Sequence, residues 1–452
     1  MTVLSSGTAL PPDVARIQRR TLVVLCTAQI VSGIGVAVGV ALSSLVAARL
    51  SGSEAIGGLA GTAAVLGAAL LALPVARLGT RSGRRAGLTL AYGTAALGAL
   101  AATAAVPLGS WPLLLAGLVL FGGGSAGNLA ARYSAADLAP PGSAARHLSL
   151  VVWATTVGSV AGPNLAEPAG RAFAALGLPV DAGGFAVAAI MYLLSAAVIA
   201  AALRPDPLRV ARSLRAGEAG AAEPGPAGKG TAGKGTAGKS AAEEGGPAGA
   251  RRPGTLRLGW RAVRDSLNAR RAIAGIAVSH TAMVSIMSMT PIHLDHGGAA
   301  ISVIGVVISV HIAGMYVFSP IVGRLADRFG RTPVLLAGMA QLLAATALAG
   351  SSAPHGVAQV TAGLFLLGTG WSCGLVAGSA LLTESAPVER RPAVQGLSDL
   401  LMNVCGAGGT VVAGLVVKSA SYGVLGAAVA VLVVAAACWL AATGRRAHLA
   451  SA

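Results

Sequence analysis

Charge is scarce in this sequence. Only 11% of its 452 residues are Asp, Glu, Lys or Arg, against about 25% in an ordinary soluble domain. Side chains that carry charge are costly in hydrocarbon, so the deficit places most of the chain inside a membrane. Acids are scarcest: 16 Asp and Glu stand beside 33 Lys and Arg. Cysteine is limited to Cys26, Cys373, Cys405 and Cys438. All four lie in apolar stretches without CxxC spacing and read as small buried hydrophobes. There is no nucleophilic triad, no acid pair and no closed metal motif, so an enzyme is not expected. A cleavable leader is not expected either: Met1 to Arg20 is polar, and the first apolar run is too long for a signal core.

What is present is apolar and small. Hydrophobic residues make up 54% of the chain and glycine accounts for 63 positions, which suits helices that approach closely in lipid. A span needs about 20 mostly apolar residues. Such runs occur at 21–47, 56–76, 86–106, 111–131, 147–167 and 183–203, and again at 271–293, 300–321, 333–350, 357–383, 394–417 and 421–442. The expected fold is an all-α membrane protein of 12 transmembrane helices in two six-helix halves, 21–203 and 269–443.

The net charge of +17 raises the question of nucleic acid. Its placement answers against it. With these spans, only Arg49, Arg171 and Lys418 fall on one side, and the other basic residues fall on the opposite side, in the linker or at the termini. By the positive-inside rule both termini, 1–20 and 444–452, are expected in the cytoplasm. The expected setting is the plasma membrane, the expected partner is the lipid bilayer and the expected state is a monomer.

Residues 204–268 separate the halves as a polar linker. Its middle, PGPAGKGTAGKGTAGKSAAEEGGPAG, has no apolar periodicity and is expected to be a disordered tether. After it, Leu256, Trp260, Val263 and Leu267 recur at helical spacing between Arg257, Arg261 and Arg264, as in an interfacial helix. The string GKGTAGKS, Gly233 to Ser240, fits the phosphate-loop pattern. That loop needs a buried strand before it and a helix after it. Both flanks here are low-complexity, so no nucleotide site is read from it.

The two halves echo each other. GRLADRFGR, Gly323 to Arg331, follows the eighth helix, and ARLGTRSGR, Ala76 to Arg84, follows the second, at an offset of 247 residues. LSLVVW at Leu148 and LSDLLM at Leu397 show a similar offset. Such repeats mark transporters whose halves rock about a central site. GRLADRFGR resembles the loop signature of the major facilitator superfamily. The resemblance implies a secondary transporter with a conformational latch at Gly323, Asp327, Arg328, Gly330 and Arg331. The first copy has lost the acid to Thr80 and the first glycine to Ala76. GSVAGPN, Gly158 to Asn164, partly resembles an element of drug–proton antiporters, and also fits an ordinary kinked packing helix.

Soft ligands concentrate in the seventh and eighth helices. Four of the eight methionines, Met283, Met287, Met289 and Met315, lie there with His280 and His311, and His293, Asp295 and His296 end the seventh helix. His280, Met283 and Met287 share one helix stripe, and His311 and Met315 share another. At a rise of about 1.5 Å per residue, Met283 and His311 each sit about 15 Å below the outer surface. That is near the middle of a core about 30 Å thick. Thioether and imidazole suit Cu(I). MxxxM in one helix and HxxxM in the next resemble the paired signature of CcoA-type copper importers. The resemblance assigns copper, as cargo with no resident cofactor, to Met283, Met287, His311 and Met315. His280, Met289, His293, Asp295 and His296 form a candidate path. The bland reading is packing methionine and solvated histidine.

Other intramembrane polar groups are few. Asp399 either carries a coupling proton or pairs with arginines of the first-half loop. Gln29, Asn128, Asn164, Glu384 and Asn403 either line the cavity or join helices. The competing function is proton-coupled efflux of a hydrophobic drug or metabolite, against which the first helix offers only Gln29 and no acid.

Overall fold

The computed structural model describes residues 11–175, 177–221 and 254–449. The phosphate-loop-like string and the low-complexity tether lie outside them. The described chain forms sixteen helices. In the first half these are α1 (Pro12–Ser51), α2 (Glu54–Ser82), α3 (Arg84–Ala105), α4 (Trp111–Phe121), α5 (Gly123–Ser134), α6 (Ala144–Ala174) and α7 (Val180–Ala202). Two short helices, α8 (Pro207–Ala221) and α9 (Thr255–Asp265), belong to the linker. The second half holds α10 (Leu267–Asp295), α11 (Ile301–Tyr316), α12 (Ser319–Phe329), α13 (Arg331–Gly350), α14 (Val357–Glu384), α15 (Arg391–Ser419) and α16 (Tyr422–Leu449).

α4 with α5, and α11 with α12, are each one span broken midway, so the halves carry six spans each. Eleven described spans are long and apolar enough to cross a membrane by length and composition; α6 runs beside α1 and α7 as the remaining one. The spans begin up to nine residues earlier than the apolar runs, because α1 starts at Pro12. Proline at a first helical position is pre-set for the helix and loses no bond there. Leu59, Leu66, Leu97, Ile190, Val306, Val411, Leu415 and Val431 are exposed on the outside, as lipid-facing positions must be apolar.

Each half has its own core. Leu25, Tyr92, Phe121, Phe185 and Tyr192 pack in the first, and Met339, Leu342, Leu364, Leu367 and Val433 in the second. A third cluster joins them at the end that carries the arginine-rich loops. There Tyr133, Ala145 and Leu148 meet Val322, Ala326, Leu335, Ala377 and Leu397.

Polar contacts seal the same end. Ser319, Val322, Gly323 and Ala326 make the buried stripe of α12, which packs on α6. Asp327 then accepts from the backbone N–H of Ala145 at 3.1 Å and of Arg146 at 3.0 Å, at the start of α6. Its carboxylate is thus held by a helix N-terminus of the other half. Arg331 pairs with Asp327 at 2.9 Å and with Glu384 at 2.7 Å. The first half repeats the second pair: Arg84 bonds Asp137 at 2.7 Å, and also Gln395 of α15 at 2.6 Å. Gly330 and Gly83 precede α13 and α3 with φ 94° and 95°. Only glycine accepts such backbone readily.

The part of the linker that precedes the low-complexity tether is ordered, since Pro207–Ala221 is helical. Asp206 explains the start of α8: its carboxylate accepts from the N–H of Leu208 at 3.1 Å and of Arg209 at 3.3 Å. It also accepts from the backbone N–H of Arg85, in α3, at 2.8 Å. In α9, Gly259, Ala262 and Val263 are buried against α15, while Leu256 and Trp260 are exposed.

Candidate functional site

Above the arginine-rich seal lies a cavity of ≈ 520 Å³ between the halves. α1, α5 and α6 line it from one side, and α10, α11, α14 and α15 from the other. Its apolar wall includes Met283, Met315, Met402 and Trp371, and its polar groups include Gln29, Asn128, Arg132 and Asn403. The walls are shaped by close helix contacts. Gly158 and Gly162 of GSVAGPN abut α1 at Gly33 and Ile34, so this element works in packing. The side chain of Asn164 lies outside those described.

The polar residues are fixed in place. Gln29 donates to Thr155 Oγ1 at 2.8 Å. Asn128 accepts from Ser32 Oγ at 2.6 Å and Tyr92 Oη at 3.1 Å. Asn403 donates to the backbone carbonyl of Asp399 at 2.8 Å. Tyr316 and Trp371 meet edge to face, with ring centroids 5.7 Å apart.

Of the residues assigned to copper, Met283 and Met315 line the cavity, with His280 from the candidate path. Met287 and Met289 pack half-buried against the second-half core instead. His311 is fully buried and is not among the cavity lining. Its Nδ1 sits 2.8 Å from the Leu364 carbonyl. A carbonyl only accepts, so Nδ1 holds the proton and Nε2 keeps a lone pair, as in a metal-binding tautomer. Nε2 is buried without a partner. His280 is in the opposite state. Trp371 Nε1–H donates to its Nδ1 at 3.1 Å, so in the neutral ring Nε2 carries the proton and offers no lone pair. The imidazole suited to metal therefore lies outside the cavity, and the imidazole inside it is blocked on both nitrogens.

At the opposite end of α10, His293 stacks on Tyr422 with centroids 4.2 Å apart and meets Ser352 Oγ at 3.1 Å. Asp295 and His296 are exposed. Among the described residues, no group of three His, Cys, Asp or Glu is placed to hold a metal ion.

Sequence reasoning missed Arg132. It lies on α5, and its side chain is 2% exposed. Asp399 pairs with it at 2.8 Å, and not with an arginine of the first-half loop. Arg132 Nε also donates to Ser379 Oγ at 3.1 Å. One ion pair thus spans from the first half to the second at the floor of the cavity. Asn128 stands one turn before Arg132 on the same helix face, and that i, i+4 spacing was the available signal.

Known proteins frame this arrangement. The family model for the Major Facilitator Superfamily matches residues 25–302 and again 272–451. The MFS-type transporter YdeG of Bacillus subtilis is 35% identical over 422 residues, covering 93% of this chain and 90% of its own. YddS of the same organism, also an MFS-type transporter, is 31% identical over 435 residues, covering 95% and 92%. Among solved structures, the proton:xylose symporter XylE superposes with a TM-score of 0.70 at 15% identity, over 94% of this chain and 95% of its own. That likeness concerns the fold. With two halves matched in turn and near-complete relatives on both sides, this chain belongs to the Major Facilitator Superfamily of membrane transporters.

Proposed function

We propose that this transporter moves a small, largely apolar organic molecule across the cytoplasmic membrane, with both termini in the cytoplasm. The cavity carries the reading. Its ≈ 520 Å³ lies within the range of about 300–1,000 Å³ typical of organic-ligand sites. Aliphatic side chains make most of the wall, joined by three thioethers and the rings of Tyr316 and Trp371, with a few fixed amides to orient the solute. A bare cation meets no acidic side chain among the described lining residues, and it meets the positive Arg132. With the termini inside, the seal of Asp327, Arg331 and Arg84 closes the cytoplasmic end, and the solute enters from outside. Rocking of the halves then exchanges access. Asp399, a buried acid joined across the halves to Arg132, is the group through which a proton would couple.

Thermal shift of the protein in lipid nanodiscs against a panel of organic compounds tests this, paired with accumulation in cells that do or do not produce it. Compounds that stabilise the protein should also change accumulation, and Trp371→Ala should weaken both. A panel that shifts nothing and alters no accumulation would sink the proposal.

One observation favours copper instead: Met283, Met315, Met402 and the His280 ring border the same space. The tautomer of His280 and the positive Arg132 weigh against it. Radio-copper uptake separates the readings. The copper reading requires protein-dependent uptake that falls with Met283→Ala and His311→Ala. The organic-solute reading requires uptake equal to that of cells without the protein.

A further inference from the structure

The unmet groups of Arg132 say more about the solute. A guanidinium presents five N–H donors in a planar fork. Here Nε is used by Ser379, and Nη2 by Asp399 at 2.8 Å and Tyr133 Oη at 3.2 Å. Nη1 is buried with no partner, although the side chain is 2% exposed and borders the cavity. An ionised donor left unpaired away from bulk water is costly. Among the described lining residues, Arg132 is the only permanent charge. Across the cavity, Tyr316 and Trp371 offer aromatic faces.

The geometry points to a solute with an acidic group, a carboxylate or its equivalent, which docks on Nη1 of Arg132 while its apolar or aromatic body lies against Trp371 and the methionines. This deepens the organic-solute reading and rests on it. With Nε and Nη2 engaged, the N–H groups of Nη1 are the ones left for a carboxylate oxygen, in a charge-assisted bond. Asp399 already holds Nη2, so it acts as the resident counter-ion of the empty carrier and competes with the solute for the same guanidinium. Removing its charge strengthens acid binding. Removing both charges erases the preference for acids and leaves apolar contacts intact.

The test uses calorimetry on the full chain in nanodiscs. The probes are matched pairs: 2-naphthoate with 2-naphthamide, and 4-phenylbenzoate with its primary amide. In the native protein each acid should bind about tenfold or more tighter than its amide, the scale of one hydrogen bond to a charged group. Asp399→Asn should widen that ratio. The double variant Arg132→Gln with Asp399→Asn carries no unpaired buried charge, and in it the ratio should fall to about one, since no charged donor remains. Amides that bind as tightly as acids in the native protein overturn the inference and leave the organic-solute reading standing. An acid preference that survives the double variant also overturns it. Failure of all four probes to bind counts against both.

Discussion

At the arginine-rich end, the second half closes with an acid at the end of its broken span and the first half closes without one. Asp327 caps α6 and pairs with Arg331. Its counterpart at the 247-residue offset, Thr80, merely bonds back to Ala76. The first half compensates elsewhere. Arg212 of α8 donates to the carbonyl of Thr80 at 3.1 Å and to that of Glu389 at 3.3 Å, tying the linker to both halves. The glycine has changed sides as well. Gly323 of α12 lets α6 approach, whereas Ala76 of α2 faces Gly396 of α15. The bridging pair is equally lopsided, since Ser379 stands where the 247-residue offset places Arg132, and Leu150 of LSLVVW stands where LSDLLM has Asp399. Pseudo-symmetry fixes where the helices meet. It leaves each half free to choose which partner supplies the charge or the small residue.

The largest effect is expected at the pair both halves share. Asp137 has a side chain fully buried between Arg84 and Arg391, while Glu384, its counterpart, is 39% exposed. Asp137→Ala leaves buried charge uncompensated and should cost about 3–5 kcal/mol. Glu384→Ala should cost about 1 kcal/mol or less, because water screens it. Denaturant unfolding in detergent measures both, and equal losses would refute the asymmetry. The exchanged glycines come next. Gly323→Ala and Gly396→Ala should each cost about 1–3 kcal/mol by overpacking. A silent Gly396→Ala would show that the first-half contact is loose. The smallest effect is a gain. Thr80→Asp puts an acid near the N-terminus of α15 and should add about 0.3–1 kcal/mol, read in the same assay. No gain would mean that Arg212 already saturates the loop.

Much of the fold was legible because hydrocarbon demands long apolar runs, and these are hard to mistake. The linker helix α8 was not: its stability comes from Asp206 and from contacts with distant loops, which local composition does not record. Within the site, Met283, Met315 and His280 were read as facing the passage or its edge, while Gln29, Asn128 and Asn403 were left between lining the cavity and joining helices. His311 shows the limit. It shares a stripe with Met315, yet four residues of helix turn about 40° past a full circle. The cavity edge falls within that angle, and only tertiary packing decides on which side. Arg132 was hidden for another reason. It ends a span on the side that collects the basic residues, so its charge was counted with the cytoplasmic arginines until the pairing with Asp399 set it apart.

On the proposed reading, solute binds between the halves, in a cavity closed at the arginine-rich end. The most direct measurement is thiol labelling of Asn403→Cys, a cavity-wall position, after Cys26, Cys373, Cys405 and Cys438 are replaced by serine. A membrane-impermeant maleimide should react quickly from the face opposite the arginine-rich loops, slowly from the other face, and more slowly still once a stabilising compound is bound. Fast reaction from the arginine-rich face, or no protection by such a compound, would contradict the account.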